Sequence, residues 1–299
     1  MKRQGDGGEM RAKIRKVVIP VAGLGTRVLP ATKSIPKELL PVVDRPLIDY
    51  VLAEARDAGI EHFVLVTGRG KGAIEDYFDH SFELEATLKA KNKADILASV
   101  EAVIPRAGAL SYTRQQAPLG LGHAVWCARD IIGDEPFAVS LPDEIVPSRP
   151  GFLRQMVEAY EKVGGNLVAV EEVPPSETSK YGVIAPKARK GDLIEMTGMV
   201  EKPKPEAAPS NFRIIGRYLL QPSIFRLLET QGAGAGGEIQ LTDAMNRLNA
   251  VETFHACLCS GVIHDCGSKL GWLMANIDLG LKSADLGPAL ADHLRARMK

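Results

Sequence analysis

Cysteine is scarce in this chain. Only Cys127, Cys257, Cys259 and Cys266 occur in 299 residues, too few and too scattered for a disulfide framework. Cys257 and Cys259 fall on one predicted strand, where alternation is read as placing them on opposite sides, so no cysteine clamp is expected and all four read as small core residues. Excess charge is also missing: 37 basic residues stand against 37 acidic ones, which leaves nothing to favour nucleic acid or a membrane surface as partner. No apolar run reaches the ~18 residues of a spanning helix. The charged, glycine-bearing start, residues 1–13, has no signal-peptide core and reads as disordered. A cytoplasmic location follows by elimination. What remains is ordinary for a globular protein, 45% hydrophobic and 25% charged, and long enough to bury roughly three quarters of its unfolded surface without staples.

The most informative stretch is Ala22-Gly-Leu-Gly-Thr-Arg27, preceded by the apolar run Val17-Val-Ile-Pro-Val21 and followed by Lys37 in Pro36-Lys-Glu-Leu-Leu-Pro41. A buried strand opening into glycines lets the backbone approach a ligand closely. Two fixed cations close behind it suit a polyphosphate and the charge that develops when a phosphoryl group is attacked. Two rival motifs fail. The dinucleotide fingerprint needs a glycine where Val28 stands, and the single Gly-Lys pair, Gly70-Lys71, has Leu65 and Gly72 where a P-loop needs Gly and Ser or Thr. A nicotinamide-dependent oxidoreductase is therefore set aside.

Strands are expected at 16–22, 62–67, 110–115 and 136–141, and helices at 46–58, 72–79, 83–99 and 122–131. The alternation predicts a Rossmann-like α/β fold, a mostly parallel mixed sheet with helices on both faces. The second half reads as shorter strands at 166–173, 181–185, 193–197 and 213–220, then helices near 223–229, 238–249 and 268–281. It is taken as a small β-rich subregion packed on the same sheet. Residues 231–237 (QGAGAGG) read as a mobile loop, and 283–299 as an appended helix suited to oligomer contacts. Ligands in such folds lie beyond the carboxyl ends of the strands. The glycine loop, Gln115 and Asp143 all follow strands and so fall on one rim. Gln115 can both donate to and accept from a base edge; alternation turns Gln116 the other way.

Gly23-x-Gly25-Thr26-Arg27 with Pro36-Lys37-Glu38-x-Leu40-Pro41 resembles the signature of sugar-nucleotide pyrophosphorylases, the sugar-1-phosphate nucleotidylyltransferases. Gly120-Leu-Gly-His-Ala-Val125, Leu141-Pro-Asp143, Val200-Glu-Lys-Pro203, Gly237-Glu-Ile-Gln-Leu-Thr-Asp243 and Asp265-Cys-Gly-Ser-Lys269 extend the likeness in order from about residue 14 to 275. The resemblance implies a catalytic domain over 14–282. It further implies transfer of a uridylyl group from UTP to α-D-glucose 1-phosphate, giving UDP-glucose and pyrophosphate. Attack on the α-phosphorus would be in line, with Mg²⁺ and no covalent intermediate. The nucleophile arrives ionised, so no Ser, Cys or His triad is needed, and catalysis reduces to alignment and charge stabilisation.

The resemblance also assigns roles. Arg27, Lys37 and Lys202 are catalytic cations, with Lys33 undecided. Ala22, Gly23, Gly25, Thr26, Glu38, Gln115 and Gly120 bind the nucleotide. Gly182 and Glu201 bind the sugar, a carboxylate discriminating hydroxyls better than apolar contacts can. Asp143 and Asp265 hold the metal from opposite halves of the chain, with Glu144 in doubt, and Asp265 also reads as a helix cap. His123, at a helix start, reads as a neutral cap without chemistry. A homo-oligomer, dimer or tetramer, is expected. Two other readings stand beside this one. One is a sister enzyme using another base or sugar, such as dTTP. The other is a non-catalytic regulatory paralogue, which should have lost Arg27, Lys37 or Asp143.

Overall fold

Val17, Val18 and Ile19 have no exposed surface, as a strand covered on both faces requires. In the computed structural model, which describes residues 11–298, they form β1 (Lys16–Pro20). β1 is flanked in parallel by β2 (His62–Thr67) and, on its other side, by the strand Phe137–Ser140. The main sheet has nine strands in all. In chain order the rest are β3 (Leu110–Arg114), β4 (the Phe137–Ser140 strand), β5 (Asn166–Glu172), β6 (Gly182–Lys190), β7 (Leu193–Glu201), β8 (Phe212–Leu220) and β9 (Phe254–Leu258). Their spatial order is β3-β2-β1-β4-β8-β5-β9-β7-β6.

Parallel pairing holds from β3 to β4 and again between β5 and β9. β8 is antiparallel to both β4 and β5, and β7 to both β9 and β6. The sheet is mixed, as expected, but only its first half is parallel throughout; in the second half the one parallel pair among the described residues is β5 with β9. The reason is connection length: Lys190 and Leu193 are joined by a tight turn in which Gly191 has φ +62°, and a turn that short joins only antiparallel strands. The expected β-rich subregion is thus an extension of one continuous sheet. Its hairpin runs well past 181–185 and 193–197, because register shifts around Met196 and Gly198 absorb the break in alternation.

Helices cover both faces. Leu47–Asp57 turns Leu47, Ile48, Val51, Leu52 and Ala55 inward, the face read from its spacing. The segment 83–99 is two helices, Phe82–Ala90 and Ala94–Glu101, because Asn92 adopts φ +52° between them, a conformation asparagine tolerates. The helix expected from 238 starts at Leu241, since Ile239 is committed elsewhere (below). Gly287–Arg297 packs back on Lys269–Lys282, with Leu290 against Gly280.

Residues 1–10 of the expected disordered start lie outside the described residues; Lys13 bridges Glu61 at 2.9 Å. The cysteine reading needs correction. Residues two apart on a strand share a face, and Cys257 and Cys259 bring their sulfurs to 3.7 Å. All four cysteines are nonetheless free. Among the described residues no helix is long and apolar enough to cross a membrane.

Candidate active site

β1 hands the chain to the glycine loop. Gly25 takes φ +66°, and a Cβ there would come to 3.1 Å from Lys37 Cβ and 3.3 Å from Thr32 Cβ. Glycine therefore lets the loop lie directly on the Lys37 segment, and Thr32 Oγ1 ties it down by donating to the Gly25 carbonyl at 2.8 Å. Lys37 Nζ then reaches Asp143 Oδ2 at 2.6 Å, while Arg27 Nη2 stands 3.6 Å from the same oxygen and is largely exposed. Burial would raise the Asp143 carboxyl, but Lys37 outweighs it and holds the group below the usual aspartate range. Burial likewise opposes the Lys37 ammonium, yet Asp143 and Glu38 carry it above the usual lysine value. The site keeps a fully ionised pair.

Asp143 sits in the loop leaving β4, and that loop is clamped from behind. Arg217 has no exposed surface. It donates to Glu54 Oε2 at 3.0 and 2.7 Å, to the Leu141 carbonyl at 3.1 Å and to the Glu144 carbonyl at 2.7 Å. Asp143 is thus held between two carbonyls fixed by one guanidinium. Glu144 is committed to Arg213 Nη1 at 2.9 Å and to the Gly216 amide, which turns its carboxylate to structural use. Asp265 arrives from the far half of the chain, because His264–Asp265 pairs antiparallel with Glu144–Ile145 and the Cys266 amide donates to the Asp143 carbonyl at 2.7 Å. Gly267 lies where these groups meet. A Cβ there would stand 2.9 Å from Asp265 Oδ1, 3.0 Å from Asp143 Oδ2 and 3.2 Å from Arg27 Nη2. The helix-cap reading of Asp265 goes instead to Ser268, whose Oγ accepts the Gly271 amide at 3.1 Å.

The residues expected to face the sugar converge by strand register. Glu201 on β7 faces Gly182 on β6. Its Oε2 accepts from Thr242 Oγ1 at 2.7 Å, and Oε1 lies 3.3 Å from Lys202 Nζ. Lys202 has φ +45°, a conformation a lysine adopts only where its surroundings impose it. A cleft of about 530 Å³ is lined by Arg27, Asp143 and Asp265 on one side and Gly182, Glu201 and Lys202 on the other.

The residues expected to face the base form a separate cluster. Gln115 is 8% exposed and its Nε2 donates to the Gly120 carbonyl at 3.0 Å. Gly120 has φ +106°, and a Cβ there would strike Glu238 Cβ at 2.8 Å and the Ile239 carbonyl at 2.9 Å. Backbone bonds join the two segments: Ile239 N–H to Leu119 at 2.7 Å and Gly122 N–H to Ile239 at 2.8 Å. Ala22 lies against Gly68. Thr26 opens the short turn Thr26–Val28, and Gly23 stands over Lys37.

Glu38 is the expectation the geometry corrects. It is 1% exposed, and Lys71 Nζ holds its Oε2 at 2.7 Å. Its carboxylate is buried against Lys71 rather than turned to the cleft lining. Lys33 is exposed and joins no ion pair among the described residues. Gly267 and Thr242 touch the candidate site residues and carry no role in the sequence reading. Both lay inside strings singled out by resemblance, but only the folded contacts show what they touch.

A family profile described as nucleotidyl transferase matches residues 16–275, and the chain belongs to that family. It is 48% identical over 282 residues to a UTP–glucose-1-phosphate uridylyltransferase of Bacillus subtilis (strain 168), covering 94% of this chain and 96% of the relative. The fold superposes on a UDP-glucose pyrophosphorylase from Acinetobacter baumannii with a TM-score of 0.87 at 45% identity, covering 96% and 100% of the two chains. A UTP-bound UGPase from the same organism gives 0.86 at 45% identity, covering 94% and 98%.

Proposed function

We propose that this protein is a UTP–glucose-1-phosphate uridylyltransferase, joining the uridylyl group of UTP to glucose 1-phosphate and releasing pyrophosphate. One observation carries the reading: Arg27, Lys37 and the Asp143–Asp265 pair meet on the same rim as the Glu201–Thr242–Lys202 cluster. Relatives named for this reaction, one of them UTP-bound, support it. The triphosphate lies along the glycine loop, with Arg27 and Lys37 against the phosphates that leave as pyrophosphate. Lys202 neutralises the sugar phosphate, whose oxygen attacks the α-phosphorus in line. Glu201, oriented by Thr242, accepts hydroxyls of the glucose. The chain contributes position and charge, in keeping with a nucleophile that arrives already ionised.

The donor set fits a magnesium ion. Asp143 and Asp265 are hard oxygen donors, and a cation that binds few carboxylates and completes its shell with phosphate oxygens and water suits them. Asp143 and Asp265 would hold the ion together with oxygens of the bound triphosphate. When bound, the ion neutralises phosphate charge. Asp143→Asn is expected to raise the Mg²⁺ concentration needed for half-maximal rate about ten- to a hundredfold. A Mg²⁺ titration of initial rate reads this directly, and an unchanged midpoint would leave the ion to the phosphates alone.

The reading is tested by incubating the full chain with UTP and a panel of sugar 1-phosphates and measuring pyrophosphate release. Glucose 1-phosphate with UTP should be the preferred pair; preference for dTTP would move the assignment to a sister enzyme. Glu201→Gln is expected to lower kcat/KM for glucose 1-phosphate roughly tenfold or more while leaving UTP affinity unchanged, since the group touches only the sugar. An equal fall in UTP affinity, measured by titration calorimetry, would return Glu201 to a structural role.

A further inference from the structure

Gln115 has two amide protons, and both are taken. Its Nε2 donates to the Gly120 carbonyl at 3.0 Å and lies 3.1 Å from His123 Nδ1. The carbonyl can only accept, so Nε2 is the donor in both contacts and His123 Nδ1 must be unprotonated. No group among the described residues donates to Gln115 Oε1. The ring of His123 is itself held in place, stacked on Trp126 at 5.9 Å, and the Arg129 guanidinium lies over that indole at 3.7 Å. Cys127 Sγ stands 4.0 Å from both ring nitrogens. Burial lowers the histidine's affinity for a proton, in keeping with an uncharged ring.

From this arrangement we infer that His123 is a positioning residue for base selection: together with Gly120 it consumes the donor side of Gln115 and leaves only Oε1 to face the nucleotide. An acceptor alone pairs with a pyrimidine carrying a proton on its ring imino nitrogen, as uracil does. It meets a lone pair on the corresponding nitrogen of cytosine, and a polar group left facing its own kind costs more than a missing contact. The expected cap role is thereby corrected: no side chain caps the helix Leu121–Trp126, and His123, inside its first turn, turns to Gln115 instead. The inference rests on the proposed binding of UTP at this rim but makes a separate claim about how the base is chosen.

The test uses the full-length protein with UTP and CTP as probes, by equilibrium binding and by kcat and KM. Asparagine at 123 can set an acceptor where Nδ1 stands; glutamine places its polar atoms nearer the Nε2 position, and alanine removes both. His123→Ala and His123→Gln are expected to lower the UTP:CTP affinity ratio roughly five- to tenfold, the worth of one hydrogen bond. The loss should appear in KM for UTP, with kcat at saturation within about twofold. His123→Asn should restore the ratio to within about threefold of the parent. A ratio unchanged in His123→Ala, or UTP and CTP weakening together in all three variants, overturns the inference. The two failures separate cleanly. A parent protein that prefers UTP in binding but forms no UDP-glucose overturns the functional reading alone. A parent that forms UDP-glucose while His123→Ala keeps its selectivity overturns this inference alone.

Discussion

Lys37→Ala is expected to lower turnover by roughly 10²–10³, the usual loss when one preorganised donor to a developing charge is removed. Two effects combine. The leaving phosphates lose a cation, and Asp143 loses its 2.6 Å partner while Arg27 remains 3.6 Å away and largely exposed. An exposed guanidinium at that distance is a weak substitute. Steady-state kinetics on UTP and glucose 1-phosphate give the number, and near-normal kcat would remove Lys37 from the reaction. The pair also sets a pH sign. The Asp143 carboxyl titrates below its ordinary 3.8, so the pair's contribution is complete above that value and disappears only as pH falls through the depressed one. Activity lost between pH 5 and 7 would have to come from another group.

Arg217→Ala should be the most damaging change to stability, about 3–5 kcal/mol, because it leaves the buried Glu54 carboxylate without its counter-charge. Urea unfolding measures it. Arg217→Met combined with Glu54→Leu removes both charges and should recover most of that loss. Activity should not return with stability, since the carbonyls of Leu141 and Glu144 would no longer be held and Asp143 stands between them. If the double variant regains full turnover, the guanidinium serves the core and has no part in placing Asp143.

The glycine loop, Arg27 and Lys37 were readable because their chemistry is local: the loop, the turn and the cations lie within one short segment. Asp143 was readable for a related reason, standing just after a buried strand on the rim where ligands of α/β sheets bind. The helix 47–57 followed from its apolar spacing. Long-range matters were another case. Nothing in the spacing of Asp265 says that its two-residue strand pairs with Glu144, 121 positions earlier. Glu38 enters the expected site through the resemblance, yet the 3₁₀ turn Lys37–Leu39 sends its side chain to buried Lys71. The break at Asn92 depends on one backbone angle that composition does not encode. His123 reads as a cap from its place at a helix start, whereas its partner, Gln115, stands just past the end of β3.

The contact between residues 119–122 and 238–240 limits how this family can be recombined. The proposed roles divide the chain into a nucleotide half and a sugar half, which invites exchange between relatives like cassettes. Yet Leu119, Gly122 and Ile239 are bonded main chain to main chain, and Gly120 has no room for a side chain against Glu238. A crossover placed anywhere between them in sequence would join two segments shaped for other partners. Chimaeras built to trade base preference for sugar preference therefore need to inherit both segments from one parent.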